Sequence, residues 1–166
     1  MRVLCVAAAG GHLEQMLECL DAFSGHEILL AHYDWRTFDD LEDPRITRHV
    51  GIFLGGDNAL TLSNKEADRM RLLIGTFLST FQWLWILITF RPHVVFSTGA
   101  EIGIIPLWLG RFFFRARCIF LETACRQDSP SGTGPLVYPV CHVVFVQSES
   151  ILKHLGPKAR CVGSLL

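Results

Sequence analysis

The sequence lacks an excess of charge of either sign. Its 15 basic and 16 acidic side chains leave a net charge of −1, so the composition gives no basis for nucleic-acid binding. None of its 6 cysteines forms a closely spaced metal-binding pair, and a disulfide framework is not indicated either. The first apolar run is too short for a secretory signal. We therefore expect a reduced protein without a metal site.

Charged side chains are scarce as well. They make up 19% of the chain, whereas hydrophobic residues make up 50%. A length of 166 residues suits one domain over 1–166 with a substantial core. This apolar composition indicates a surface that meets a membrane or a protein partner.

The chain opens with a strand, a glycine turn and a helix. Residues 3–7 are apolar without alternation, which is typical of a strand buried on both faces of a parallel sheet. Gly10 and Gly11 allow a sharp turn and a close ligand, and a helical apolar stripe begins at Leu13. Free amides at such a helix start favour phosphate. A tight turn without a ligand is the alternative, because the full Gly-x-Gly-x-x-Gly pattern is absent.

Strands and helices alternate along the rest of the chain. We predict strands over 26–32, 46–53, 93–97, 117–121, 142–146 and 160–162. We predict helices over 65–90, from about 101 to 114, over 135–141 and over 149–155, the last capped by Ser148. This alternation indicates an α/β fold with a doubly wound, mostly parallel, Rossmann-like sheet of strand order 3-2-1-4-5.

The helix over 65–90 has an uneven charge distribution. Its first part is charged, but residues 72–90 carry no charge. This run approaches the roughly 20 residues that span a bilayer. It also contains several polar side chains, and Trp83 and Trp85 lie in its middle. We expect a crossover helix whose outer side faces lipid or a partner, with a transmembrane span as the alternative.

Polar residues follow three strands at the edge where such sheets bind ligands. They lie in the loops over 10–12, 97–101 and 122–126. His12 lies at a helix start, where the dipole favours a neutral, proton-accepting imidazole. Glu122 ends a buried strand, and Arg126 can hold a phosphate. The alternatives are a capping role for His12, an ion pair between Glu122 and Arg126, and turn roles for Ser97 and Thr98.

Five groups of residues in a fixed order resemble one family across nearly the whole chain. They are Ala9–Leu17, Arg91–Ala100 leading to Pro106, Phe120–Arg126 with Ser131–Gly134, Val146–Ser148 and Val162–Leu165. This is the family of small glycosyltransferase subunits that includes bacterial exopolysaccharide proteins of the PssD type. It also includes the membrane-anchor subunit of the two-part transferase that adds the second N-acetylglucosamine to dolichol diphosphate. The family is similar to the N-terminal half of MurG, a GT-B transferase.

The resemblance implies an acceptor-binding domain in exopolysaccharide or lipid-linked glycan synthesis. The acceptor would be a sugar on polyprenyl diphosphate, at the cytoplasmic face of the cell membrane. A second small subunit, similar to the C-terminal half of MurG, would bind most of the UDP-sugar co-substrate, and no other cofactor is implied. The chain alone would then be inactive. Neither the donor sugar nor the linkage is identified.

The resemblance also implies roles for individual residues. His12 is the candidate base or would help to position the acceptor diphosphate, and Glu122 would orient His12 or bind an acceptor hydroxyl. Acceptor or phosphate contacts are expected from Gly10, Gly11, Ser97, Thr98, Gly99, Glu101 and Arg126. Glu101 departs from the small or neutral residue of many relatives, which would alter substrate preference. Peripheral membrane contacts are expected from Trp83, Trp85, Arg111, Phe112, Phe113, Arg115 and Arg117.

Two other functions fit parts of the sequence. A non-catalytic scaffold would recruit and activate the catalytic partner at the membrane. A dinucleotide-dependent enzyme would use the first glycine loop. The incomplete glycine pattern and the lack of a convincing acidic residue at the end of the second strand count against that enzyme.

Overall fold

The computed structural model describes residues 1–32, 43–52 and 65–164. Its strands form one parallel sheet of order β3-β2-β1-β4-β5-β6-β7. In chain order they are β1 (Arg2–Ala7), β2 (Glu27–His32), β3 (Arg48–Gly51), β4 (Val94–Ser97), β5 (Arg117–Leu121), β6 (Val143–Val146) and β7 (Ala159–Cys161). The doubly wound class and the order 3-2-1-4-5 are therefore confirmed, and β6 and β7 extend the same side.

Five α-helices lie in the described part of the chain, together with 3-10 helices over Leu20–Phe23 and Glu101–Gly103. The α-helices are α1 (Gly11–Cys19), α2 (Lys65–Phe90), α3 (Ile104–Phe113), α4 (Thr133–Val137) and α5 (Glu149–Leu152). Helix α2 has the expected bounds, and Ser148 caps α5 through its side chain as expected. Helices α4 and α5 are shorter than expected, because segments of about one turn have little periodic signal to locate their ends. The loops expected over 33–44 and 55–64 lie mostly or wholly outside the described residues.

The central strand β1 is buried on both faces of the sheet, as its continuous apolar sequence predicts. Residues Val3–Ala7 of β1 are all 0% exposed. Helix α1 packs on one face through Leu13 and Met16. Helix α2 packs on the opposite face through Trp83 and Leu87, beside α3, α4 and α5. The glycine loop between β1 and α1 is thus anchored by β1, which packs in the hydrophobic clusters on both faces of the sheet.

Helix α2 has one buried and one exposed apolar face. The expectation that Trp83 contacts a membrane is wrong, because Trp83 is 1% exposed and packs in the core. Trp85 is 64% exposed, since side chains two positions apart point to nearly opposite sides of a helix. The exposed face consists of Phe77, Leu78, Phe81, Trp85 and Ile88. Within the described residues, no helix combines the length and apolarity that a bilayer crossing requires.

The two tryptophans of α2 provide a matched test of this orientation. We expect Trp83→Ala to lower the free energy of unfolding by about 3–5 kcal/mol, because it removes a fully buried aromatic side chain. Trp85→Ala should change it by less than about 0.5 kcal/mol. Urea denaturation followed by circular dichroism measures both. Equal losses would contradict the orientation of α2.

Candidate functional site

The first glycine loop joins β1 to α1 at the carboxyl edge of the sheet. Gly10 has φ 72° and ψ −141°, a conformation that an L side chain would strain. Its carbonyl oxygen accepts hydrogen bonds from the amides of Leu13 (2.9 Å) and Glu14 (3.2 Å), which starts the helix. Gly10 and Gly11 are exposed. The first amides of α1, which have no partner within the helix, are therefore reachable from solvent.

His12 locks this loop to the loop that follows β4. Its Nδ1 lies 2.8 Å from the carbonyl oxygen of Thr98, and the Thr98 hydroxyl donates to the His12 carbonyl oxygen at 2.7 Å. The imidazole also lies against Gly99, where an added Cβ would be 2.7 Å from the ring Cε1. Gly99 has φ +115°, so both its conformation and its neighbour exclude a side chain. The two loops therefore form one unit.

This contact fixes the tautomer of His12. A carbonyl oxygen only accepts, so the ring proton lies on Nδ1 and the Nε2 lone pair is left free. Nε2 makes no hydrogen bond within the described part of the chain, and His12 is half-buried. In its neutral form, the ring therefore presents Nε2 as a proton acceptor at the carboxyl edge.

Glu122 is sealed inside the loop that follows β5. It is 0% exposed, and its two oxygens accept from the amides of Thr123 and Ser131, each at 3.1 Å. An added Cβ on Gly134 would lie 2.5 Å from its Oε2. The carboxylate thus closes the loop on itself and does not face the edge where a ligand would bind.

The hypothesis that Glu122 orients His12 is therefore wrong in this structure. The Thr98 carbonyl takes that role, because it reaches Nδ1 directly. The alternative ion pair with Arg126 is absent too. Among the described residues, Arg126 is exposed and forms no salt bridge. The expectation that its guanidinium contacts an acceptor phosphate stays a prediction.

The hydroxyls of Ser97 and Thr98 serve the loop rather than a ligand. Both residues are 0% exposed. The Ser97 Oγ accepts from the amide of Gly99 at 3.4 Å, and the Thr98 hydroxyl is used by His12. The expectation that they contact an acceptor or phosphate directly is wrong, because neither has surface to offer. Glu101, by contrast, is exposed at the start of the turn before α3.

Two glutamines that no sequence motif singles out, Gln15 and the half-buried Gln147, also contribute to this edge. Gln147, directly after β6, donates to the Glu122 carbonyl oxygen (3.0 Å) and to Gln15 Oε1 (3.2 Å). Gln15 lies on α1 and is 1% exposed. These contacts connect α1 to the ends of β5 and β6. The sequence signals only one of the two glutamines: Gln15 is a polar residue on the apolar side of α1, one turn after His12.

Comparison with family models and with curated proteins gives no match, but solved structures share this fold. MurG from Acinetobacter baumannii has a TM-score of 0.67 at 14% identity, over 98% of this chain and 46% of its own. A UDP-GlcNAc 2-epimerase from Methanocaldococcus jannaschii has a TM-score of 0.61 at 12% identity, over 99% and 46%. The spinosyn rhamnosyltransferase SpnG, complexed with thymidine diphosphate, has a TM-score of 0.56 at 15% identity, over 98% and 49%.

The chain has the Rossmann-like fold of one half of a GT-B-type protein. It spans about half the length of the structures that it matches. At these identities the likeness shows the fold alone.

Gly99 gives a direct test of the locked loops. We expect Gly99→Ala to lower the free energy of unfolding by about 1–3 kcal/mol, since the residue would be strained and its Cβ would displace the His12 ring. Gly132→Ala is the control, because a Cβ there has nothing within 4 Å. Thermal denaturation and the NMR shifts of the His12 ring report the two effects. If Gly99→Ala changed neither the stability nor the His12 ring shifts, the close contact between Gly99 and His12 would be contradicted.

Proposed function

We propose that this chain is the acceptor-binding subunit of a two-component glycosyltransferase. It would work with a separate subunit that carries most of the UDP-sugar site, and the acceptor would be a sugar on polyprenyl diphosphate. The observation that carries the proposal is the free Nε2 of His12, held at the carboxyl edge by two locked glycine loops. The half-length match to GT-B-type proteins supports it, as do the motifs quoted above.

The chemistry follows from that nitrogen. An acceptor hydroxyl transfers its proton to His12 Nε2 while its oxygen forms a bond to the anomeric carbon of the donor sugar. The bond from that carbon to the UDP oxygen breaks, and UDP leaves with the electron pair. The Thr98 carbonyl, bonded to Nδ1–H, stabilises the imidazolium that forms. Glu122 would act as a positioning residue, because its hydrogen bonds hold the loop after β5 in which it lies.

The diphosphate of the acceptor would lie against the exposed glycine loop. The free amides at the start of α1 and the helix dipole both favour an anion there. Arg126 lies in the loop after β5, is exposed and forms no salt bridge among the described residues, so it would be a second anion contact at this edge. Glu101 is exposed on the turn before α3 and would favour a neutral hydroxyl over a second phosphate at its own position.

Peripheral membrane association would bring the enzyme to this acceptor. The exposed apolar face of α2 supports it, as do Phe112 (64% exposed) and Phe113 (74% exposed) at the end of α3. Arg111, Arg115 and Arg117 are exposed beside them and would meet anionic headgroups. We place the protein at the cytoplasmic face of the membrane, because the family that it resembles uses UDP-sugars from the cytoplasm.

His12→Asn separates a catalytic role from a scaffold. An Asn amide can still donate to the Thr98 carbonyl, but it cannot accept a proton as imidazole does. We expect turnover by the reconstituted two-subunit complex to fall by about 10²-fold or more. The complex should form normally, and this chain alone should transfer no sugar. Normal turnover by His12→Asn would favour the non-catalytic scaffold.

Vesicle co-sedimentation tests the membrane contact. We expect the double variant Trp85→Ser, Phe113→Ser to bind anionic vesicles less tightly, because it removes two exposed aromatic side chains from the proposed surface. Val162→Ser is the control, since Val162 is also exposed but follows β7. Alkaline carbonate should release the wild-type protein. Equal loss for both variants would contradict the assigned surface.

A further inference from the structure

His142 is faced by a hydrogen-bond donor at each ring nitrogen. The amide of Cys118 donates to Nδ1 at 2.9 Å, and Arg111 Nη1 lies 2.8 Å from Nε2. A neutral imidazole has one lone pair in its ring plane, and the protonated ring has none. No protonation state of His142 therefore satisfies both donors.

The conflict has one consistent outcome. Cys118 is 0% exposed within β5, so its amide cannot turn away and Nδ1 must stay the acceptor. The ring proton then lies on Nε2 and points at the Arg111 guanidinium, which only donates. Arg111 is exposed and can move. The Nε2–H of His142 and the guanidinium of Arg111 are thus two hydrogen-bond donors that face each other.

The surroundings of His142 are cationic. Arg111 on α3, Arg117 at the start of β5 and Lys158 before β7 all lower the pKa of His142, after the larger effect of its partial burial. Salt bridges in the described residues involve Arg45 and Arg48, and none involves Arg111 or Arg117. The positive potential is therefore uncompensated within this part of the molecule.

We propose that Arg111 and His142 form a binding site for the phosphate group of an anionic lipid. A phosphate oxygen placed between Nε2–H and the guanidinium of Arg111 accepts from both and removes the donor conflict. The inference rests on the proposed membrane association, for which it supplies the headgroup chemistry. Phe112 and Phe113, which follow Arg111 on α3, are exposed and suit the adjoining acyl boundary.

This site lies apart from the candidate active site. His142 precedes β6 and Arg117 begins β5, so both lie at the amino edge of the sheet, whereas His12 lies at the carboxyl edge. Loss of the phosphate site is therefore expected to change membrane binding without touching the chemistry at His12. A failed sugar-transfer assay would overturn the proposed reaction and leave phosphate binding at His142 to be judged separately.

The test uses the full chain and a charge-matched pair of variants. Arg111→Gln removes the guanidinium proposed to bind the phosphate. Arg48→Gln is the control, because it removes one exposed positive charge at β3, four strands away from β5 in the sheet. Inorganic phosphate is titrated while the His142 ring nitrogens are followed by NMR. Vesicles of phosphatidylcholine, with and without phosphatidylglycerol, are used in parallel for co-sedimentation.

We expect phosphate to shift the Nε2 resonance of His142 saturably in the wild type and in Arg48→Gln, but not in Arg111→Gln. Binding to phosphatidylglycerol vesicles should weaken about fivefold in Arg111→Gln, as expected for one arginine near an anionic surface. Arg48→Gln should lose clearly less, and Arg111→Lys should retain most binding because it keeps the charge.

The two probes distinguish the source of the phosphate. A phosphate shift with equal vesicle binding by both Gln variants would overturn the lipid headgroup and assign the site to free phosphate. Vesicle binding that weakens equally in both variants, without a phosphate shift, would overturn the site in favour of general charge attraction. No response to either probe would overturn it as well.

Discussion

The reciprocal contact between His12 and Thr98 is the constraint on which the candidate site depends. It joins the loop after β1 to the loop after β4 through two hydrogen bonds, and it sets which ring nitrogen carries the proton. Gly99 makes the contact possible, because any side chain there would occupy the space of the imidazole. The free Nε2 is thus a product of backbone geometry. The group that orients His12 is the backbone carbonyl of Thr98, which does not titrate.

The two edges of the sheet have different chemistry. The carboxyl edge combines exposed glycines, a proton-accepting histidine and Arg126. The amino edge carries arginines without carboxylate partners among the described residues, beside exposed aromatic side chains at the end of α3. Helix α2 packs on one face of the sheet and exposes an apolar face along its described turns. In the proposed function, the apolar face of α2 and the amino edge would meet the lipid surface, and the carboxyl edge would face the partner subunit.

Much of the fold could be predicted because its signals are local. Continuous apolar strands, helical stripes and the glycine turn at Gly10 identify the parallel sheet and its order without reference to distant contacts. Side-chain roles were less predictable. Glu122 has the same position after a strand whether it faces a ligand or its own loop. Only the amides of Thr123 and Ser131, drawn in by the fold of that loop, show that it is enclosed.

The sequence by itself determined the α/β class, the bounds of α2 and the placement of His12 at a helix start, since each depends on residues close together in the chain. The tertiary structure decided what those residues contact. It buried Trp83 and exposed Trp85, because the sheet covers one side of α2. It also paired His12 with Thr98, 86 positions away, and placed Arg111 beside His142, 31 positions away. Residues so far apart in the chain meet only when parallel strands bring their ends to a common edge, and no local pattern encodes that encounter.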